Sequence, residues 1–359
     1  MKKSLLLFSV LLISDACVDR IDFNAPDAAS QLVVDGAITD SPGPYTVKLS
    51  RTRKILDFTS PKTVSASLVA IYDNVGNSEI LKETTPGVFQ TKSNGIRGTI
   101  GREYYVRIET RDGKIYESVP EKLTPTGSIE KIYSTFEKYS TVNGASLYQF
   151  RIFIDAGGDV GGENLYRWKF TSTYKVQTNP ELHTTSIGEA RVPDPRQCSG
   201  YVSDGSGGIR QVGPCSCCTC HVSQSSAKVS SSQIISSGKF KGVEVGIIPV
   251  DYWNFFEGTR IEVSQSSLSK IAANYWTTVQ AQKEGSASLF QPAIGKAVSN
   301  ILSKNSTDEV QGLFSVSSLT TINYFLSVND IPLGPSVIPA APPAIPESCL
   351  LAFPNSTTL

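Results

Sequence analysis

Hydrophobic and polar positions alternate in short runs over residues 32–123, with turn signals between them. Tyr45, Val47 and Leu49 alternate with Thr46, Lys48 and Ser50. Val64, Ala66, Leu68, Ala70 and Tyr72 share one face of a second run, and Tyr104, Val106 and Ile108 share one face of a third. The third run ends at Asp112-Gly113, a strong two-residue hairpin signal, before Ile115-Tyr116 begins a return strand. Several short strands within about 90 residues have the size and rhythm of an immunoglobulin-like sandwich, placed at residues 31–124. Thr124-Pro125-Thr126-Gly127 marks a boundary, and longer strand-like runs follow at 147–154, 165–176, 239–250, 259–263, 309–317 and 319–328. One amphipathic helix interrupts them. Leu268, Ile271, Ala272, Tyr275, Trp276 and Val279 form an apolar stripe at helical spacing, with Ser267 as its cap, Gly285 as its stop and the second sheet as its packing surface. The fold expected is mainly β: the first sandwich, then a larger β-rich domain at 125–332 with a Cys-rich insertion at about 177–237. A proline-dense tail over residues 333–359 reads as extended.

Composition narrows the function classes. The chain has 359 residues, 40% hydrophobic and 18% charged, which excludes a disordered or coiled-coil protein. Lys+Arg and Asp+Glu are both 33, so there is no basic excess and no nucleic-acid partner is expected. Only two histidines, His183 and His221, are available for acid–base or metal chemistry.

The first 16 residues read as an export signal: Lys2 and Lys3, then an apolar stretch over residues 5–13. As a helix that stretch spans roughly 14 Å, against about 30 Å for a bilayer core, so it is too short to be a permanent span. Cys17 follows the small residue Ala16 and resembles a lipobox cysteine, whose acyl chains anchor a protein to a membrane. Ser14-x-Ala16 also suits an ordinary signal peptidase, which would leave Cys17 a plain thiol. Lipidation is the reading adopted, with residues 17–30 as a tether. Removing Cys17 from seven cysteines leaves six, an even number.

Those six are Cys198, the cluster Cys215, Cys217, Cys218 and Cys220 beside His221, and Cys349 in the tail. Thiolates and an imidazole suit a soft metal. An exported chain meets an oxidising compartment, however, and the spacing is tighter than zinc sites use, so disulfides are expected and no metal or cofactor. Neighbours such as Cys217 and Cys218 rarely pair, which gives Cys198 and Cys349 partners in the cluster; six cysteines allow 15 pairings. Residues 199–213 and 223–237 read as weakly structured parts of a stapled insertion that presents binding surface. Asp155, Asp159 and Glu163 share a glycine-rich loop that fits no EF-hand and reads as a plain connection. No G-x-S-x-G, H-E-x-x-H or S-x-x-K set with its partner motifs is present, so no enzyme is expected.

Several short patterns together resemble a family of Bacteroidota outer-membrane lipoproteins known as a domain of unknown function (number 4249). They are Cys17-Val-Asp, LVVDG at 32–36, Gly101 with Tyr104-Tyr-Val-x-Ile108, Asp112-Gly-Lys-x-Tyr116, and Asn164-x-Tyr166-Arg-Trp168. Tyr275-Trp276, then Gly285 with Leu289-Phe290, Ser299-Asn300-Ile301 and Val310-Gln-Gly312-x-Phe314-Ser315 continue the match. The resemblance implies a surface-exposed, lipid-anchored partner of a TonB-dependent receptor that captures a nutrient ligand, and it brings no catalytic residues. Two other readings stand beside it: an adhesin or structural lipoprotein without a transporter, and a secreted hydrolase with a cryptic carboxylate pair.

Overall fold

The computed structural model describes residues 30–53, 62–140, 146–158, 165–229, 239–285 and 295–358. The leader, Cys17 and most of the tether lie outside them, as do Asp159 and Glu163 of the glycine-rich loop. The molecule is mainly β, and its strands build two sandwiches.

In the first sandwich, one sheet runs Val310–Ser317, Leu32–Thr39, Thr46–Arg51, Val88–Gln90, Lys82–Thr85. The facing sheet runs Ile301–Ser303, Ile115–Ser118, Glu103–Thr110, Ala66–Asp73, Ser78–Ile80, with Glu121–Lys122 also paired to Glu103–Thr110. Alternation sends Val34, Ile38, Val47, Leu49, Ile71, Val106 and Ile108 into one shared core. Each such buried aliphatic contributes about 1.5–3 kcal/mol relative to exposure.

This core does not respect a division at residue 124. Ile301, Val310, Phe314 and Val316 belong to it, and Val310–Ser317 pairs in parallel with Leu32–Thr39 from Leu32↔Val310 to Thr39↔Ser317. The 125–332 span expected as one domain therefore sends two strands, Ile301–Ser303 and Val310–Ser317, back into the first sandwich. Alternation shows that 310–317 is a strand but carries no sign of its neighbour. Gly312 makes the pairing possible: its φ is +97°, and a Cβ there would sit 1.9 Å from the Val34 carbonyl oxygen.

The second sandwich sets Ser128–Ser140, Ser146–Gly157 and Lys239–Pro249 against a sheet ordered Leu319–Leu326, Thr259–Ser267, Tyr166–Gln177, Thr219–Val229, Ser356–Thr357. Phe150, Ile152 and Ile154 meet Tyr166, Trp168, Phe170, Ile261 and Val263 between them. The serine-rich 223–229 stretch, read from sequence as weakly structured, is strand, paired residue for residue with Tyr166–Gln177. A ladder needs backbone groups rather than apolar side chains, and Thr171–Ser225 and Thr173–Ser223 hydroxyl pairs at 3.0 and 2.8 Å line its outer face. Residues 230–237 of that run lie outside the described residues.

The Lys270–Gly285 helix begins at Ser269, whose hydroxyl accepts from the Ala272 amide at 3.1 Å. Ser267, the expected cap, instead ends a strand and donates to the Thr124 carbonyl at 2.6 Å. The helix packs on the second sheet, and also on Leu313 of the returning strand. Leu313 is thereby buried on the face opposite Phe314. No described helix is long and apolar enough to cross a membrane.

The proline-dense tail is extended only in part, interrupted by a 3-10 turn at Pro335–Val337 and a short helix at Cys349–Ala352, and it is docked. Val337 and Ile338 pack on the second core, the Asn179 amide donates to the Ile345 carbonyl at 2.7 Å, and Ser356–Thr357 pairs with Thr219–Val229.

Candidate functional site

Two of the places where the chain passes between the sandwiches, 124–127 and Ser318, are knitted together by polar side chains. Asp40 accepts from the Ser318 hydroxyl at 2.5 Å and the Leu319 amide at 2.8 Å. Ser267 accepts from the Ser318 amide at 2.9 Å. Trp168 donates its indole N–H to Gln265 at 2.7 Å, and Gln265 in turn donates to the Thr126 carbonyl. Beside this seam the two sandwiches leave a cleft of about 540 Å³, within the size range of small-molecule sites. Pro120, Glu121 and Thr124 wall it on one side; Leu165, Tyr166, Leu268, Ser269 and Ile271 wall it on the other. Glu103, Lys122 and Lys270 supply its charged lining.

Glu121 is the chemically unusual member of that wall. The residue is 4% exposed, held by the pairing of Glu121 with Tyr104. Oε1 accepts from the Asn300 amide at 3.0 Å. Asn300 is itself fixed from both ends: its Nδ2 donates to the Phe314 carbonyl at 2.8 Å, and its Oδ1 accepts from the Phe314 amide at 3.0 Å. Oε2 is buried with no hydrogen-bond partner. Burial raises the Glu121 pKa above the usual carboxylate value, while Ser269 and Asn300 offset the shift in part. Buried polar atoms are normally satisfied, so this oxygen is a candidate ligand contact in the cleft wall, with the Ser269 hydroxyl close enough to hydrogen-bond the carboxyl. Nothing in the local sequence sets Glu121 apart from a solvated turn glutamate, and sequence reasoning missed it.

The structure joins all six cysteines expected to be oxidised, as Cys198–Cys217, Cys215–Cys218 and Cys220–Cys349. Cys198 and Cys349 each take a cluster partner, and sulfurs so bonded offer no thiolate to a metal. Cys220 and Cys349 sit in a small core with Val176, flanked by Tyr174, Trp253 and Phe353. Residues 199–213, read as unable to hold themselves, form a hairpin of Tyr201–Ser203 with Ile209–Gln211. Its turn is organised by Asp204, whose Oδ1 accepts from the Ser206 hydroxyl and from the Ser206 and Gly208 amides. These bonds, the Ser206 hydroxyl foremost, hold the Asp204 carboxyl below its usual range.

The remaining candidates are scattered. His183 bonds the Asp194 carbonyl at 2.8 Å and lies 3.7 Å from Glu347. His221 keeps a buried, unpartnered Nδ1 beside Cys220, far along the chain from the junction cleft. Asp155 accepts from the Gly242 amide at 2.9 Å and from Lys241 at 3.3 Å. The Gly242 amide is the main cause of its lowered pKa. It is thus engaged within its own sheet.

No curated protein matches the chain. One family model does, over residues 18–323, a span that takes in the first sandwich, most of the second, the cleft and its seam. A match over that much of the chain places it in the family: the protein belongs to the domain of unknown function family DUF4249.

Proposed function

We propose that the protein is a non-catalytic, lipid-anchored outer-membrane protein of a Bacteroidota cell that captures a small ligand for a TonB-dependent receptor. The observation that carries this reading is the junction cleft, sized for a small molecule and walled by a buried carboxyl with one oxygen unspent. Capture needs shape and a few polar anchors, whereas hydrolysis needs a nucleophile or carboxylate pair converging on one point. Other features support the address. Cys17 follows a short apolar leader, and three disulfides suit an oxidising compartment.

Affinity purification of the tagged full chain from detergent-solubilised membranes tests it. A co-purifying β-barrel receptor is the expected result, together with loss of membrane association in Cys17→Ser. Recovery from membranes with no barrel would replace capture for transport with adhesion. An unmodified polypeptide in the culture supernatant would overturn the anchor.

A further inference from the structure

A second hollow lies on the outer face of the second sandwich, between the Lys270–Gly285 helix and the sheet beneath it. Arg167 and Lys169 are two apart on one strand, so both point away from the core that Tyr166, Trp168 and Phe170 fill. With Ser225, Ser226, Trp276 and Val279 they line a groove of about 230 Å³.

Arg167 is the telling residue. Its guanidinium lies over the Trp276 ring, 3.9 Å from the centroid. Among the described residues it makes no side-chain hydrogen bond and no ion pair, although a guanidinium carries five donors. Burial lowers its pKa, and the charge of Asp35 opposes this only at a distance. Folding normally pairs a cation that it removes from water, because a desolvated charge without a counter-charge is costly. Here the protein stacks one face of the guanidinium on an indole and leaves its donor edge beside an open groove, with a second cation, Lys169, two residues along.

We propose that this groove binds a small oxyanion, the carboxylate or phosphate head of a molecule with an apolar face, on Arg167. The planar fork of the guanidinium matches either head with two parallel N–H···O bonds, and Trp276 and Val279 offer the apolar wall. The volume falls just below the range of drug-sized sites, which suits a compact acid. The site is separate from the junction cleft, and it stands or falls independently of receptor partnership.

Titration of the purified full chain with benzoate, phenyl phosphate and neutral benzamide tests it, followed by calorimetry and tryptophan emission. At least one of the two acids is expected to saturate in the millimolar range or below and to shift the emission, and the tighter acid identifies the head group. The shift should disappear in Trp276→Phe. Benzamide should bind at least about tenfold more weakly, Arg167→Gln should weaken the acid about tenfold or more, and Lys169→Gln by a smaller factor. Without ligand, Arg167→Gln should melt at or above the wild-type temperature, since an unpaired desolvated charge has been removed. Equal binding of benzamide, unchanged acid affinity in Arg167→Gln, no saturation by either acid, or a clearly lowered Arg167→Gln melting temperature would each overturn the proposal.

Discussion

Glu121 shows what a single unspent atom does to stability. Its folded pKa is raised by burial above the ordinary value of 4.5. Between 4.5 and the raised value, the folded chain therefore holds more protons than the unfolded chain. Stability must fall as pH rises through that window. Glu103, Lys122 and Lys270 face the same cleft but stand in solvent, where their charges are screened. Glu121→Gln keeps the acceptor that Asn300 uses and removes the ionisation. Denaturant melts between pH 4 and 8 should show the fall flattened and the variant more stable at neutral pH by about 1–3 kcal/mol, the usual cost of an unsatisfied buried polar group. A variant less stable than wild type at pH 7 would mean that the carboxylate is properly paired after all.

Among the elements, those that announce themselves by period were legible in the sequence. Tyr104, Val106 and Ile108 alternate inward as their spacing dictates, and the stripe from Ile271 to Val279 is helical as its period describes, with Leu268 just before the helix. What was not legible depended on partners. The serine-rich strand has no apolar period because its outer face is hydroxyls and its backbone does the pairing. The disulfide connectivity is one of fifteen that spacing allows. The three bonds should also differ in worth. In the chain-entropy model the bond closing Cys220 to Cys349, a sequence separation of 129, stabilises by about 5 kcal/mol, and the short Cys215–Cys218 loop by about 2 kcal/mol. Cys220→Ser/Cys349→Ser should therefore lower the melting temperature more than Cys215→Ser/Cys218→Ser. It should also open the tail to protease near residues 340–348. Equal losses would show that the tail is held by its packing alone.

At the scale of the molecule, the two sandwiches are interleaved rather than strung in series. The Leu32–Thr39 strand is central in its sheet only because Val310–Ser317 flanks it. A fragment of residues 30–127 would leave that strand as a bare edge and remove Ile301, Val310, Phe314 and Val316 from the core. Such a fragment should give no cooperative melt, and one carrying residues 297–318 on a flexible linker should regain it; a cooperative melt for the short fragment would refute the dependence. The cleft and the Arg167 groove were invisible in sequence for the same reason, since each gathers residues from distant stretches of the chain. The parallel pair also sets an order of events. A polypeptide delivered N-terminus first presents Leu32 long before Val310 has emerged, so its earliest strand waits with one side unpaired while nearly everything else is made. Formation of such non-local pairings is slow and leaves adhesive surface open meanwhile. Synthesis halted before codon 310 should thus yield aggregate from the first half too.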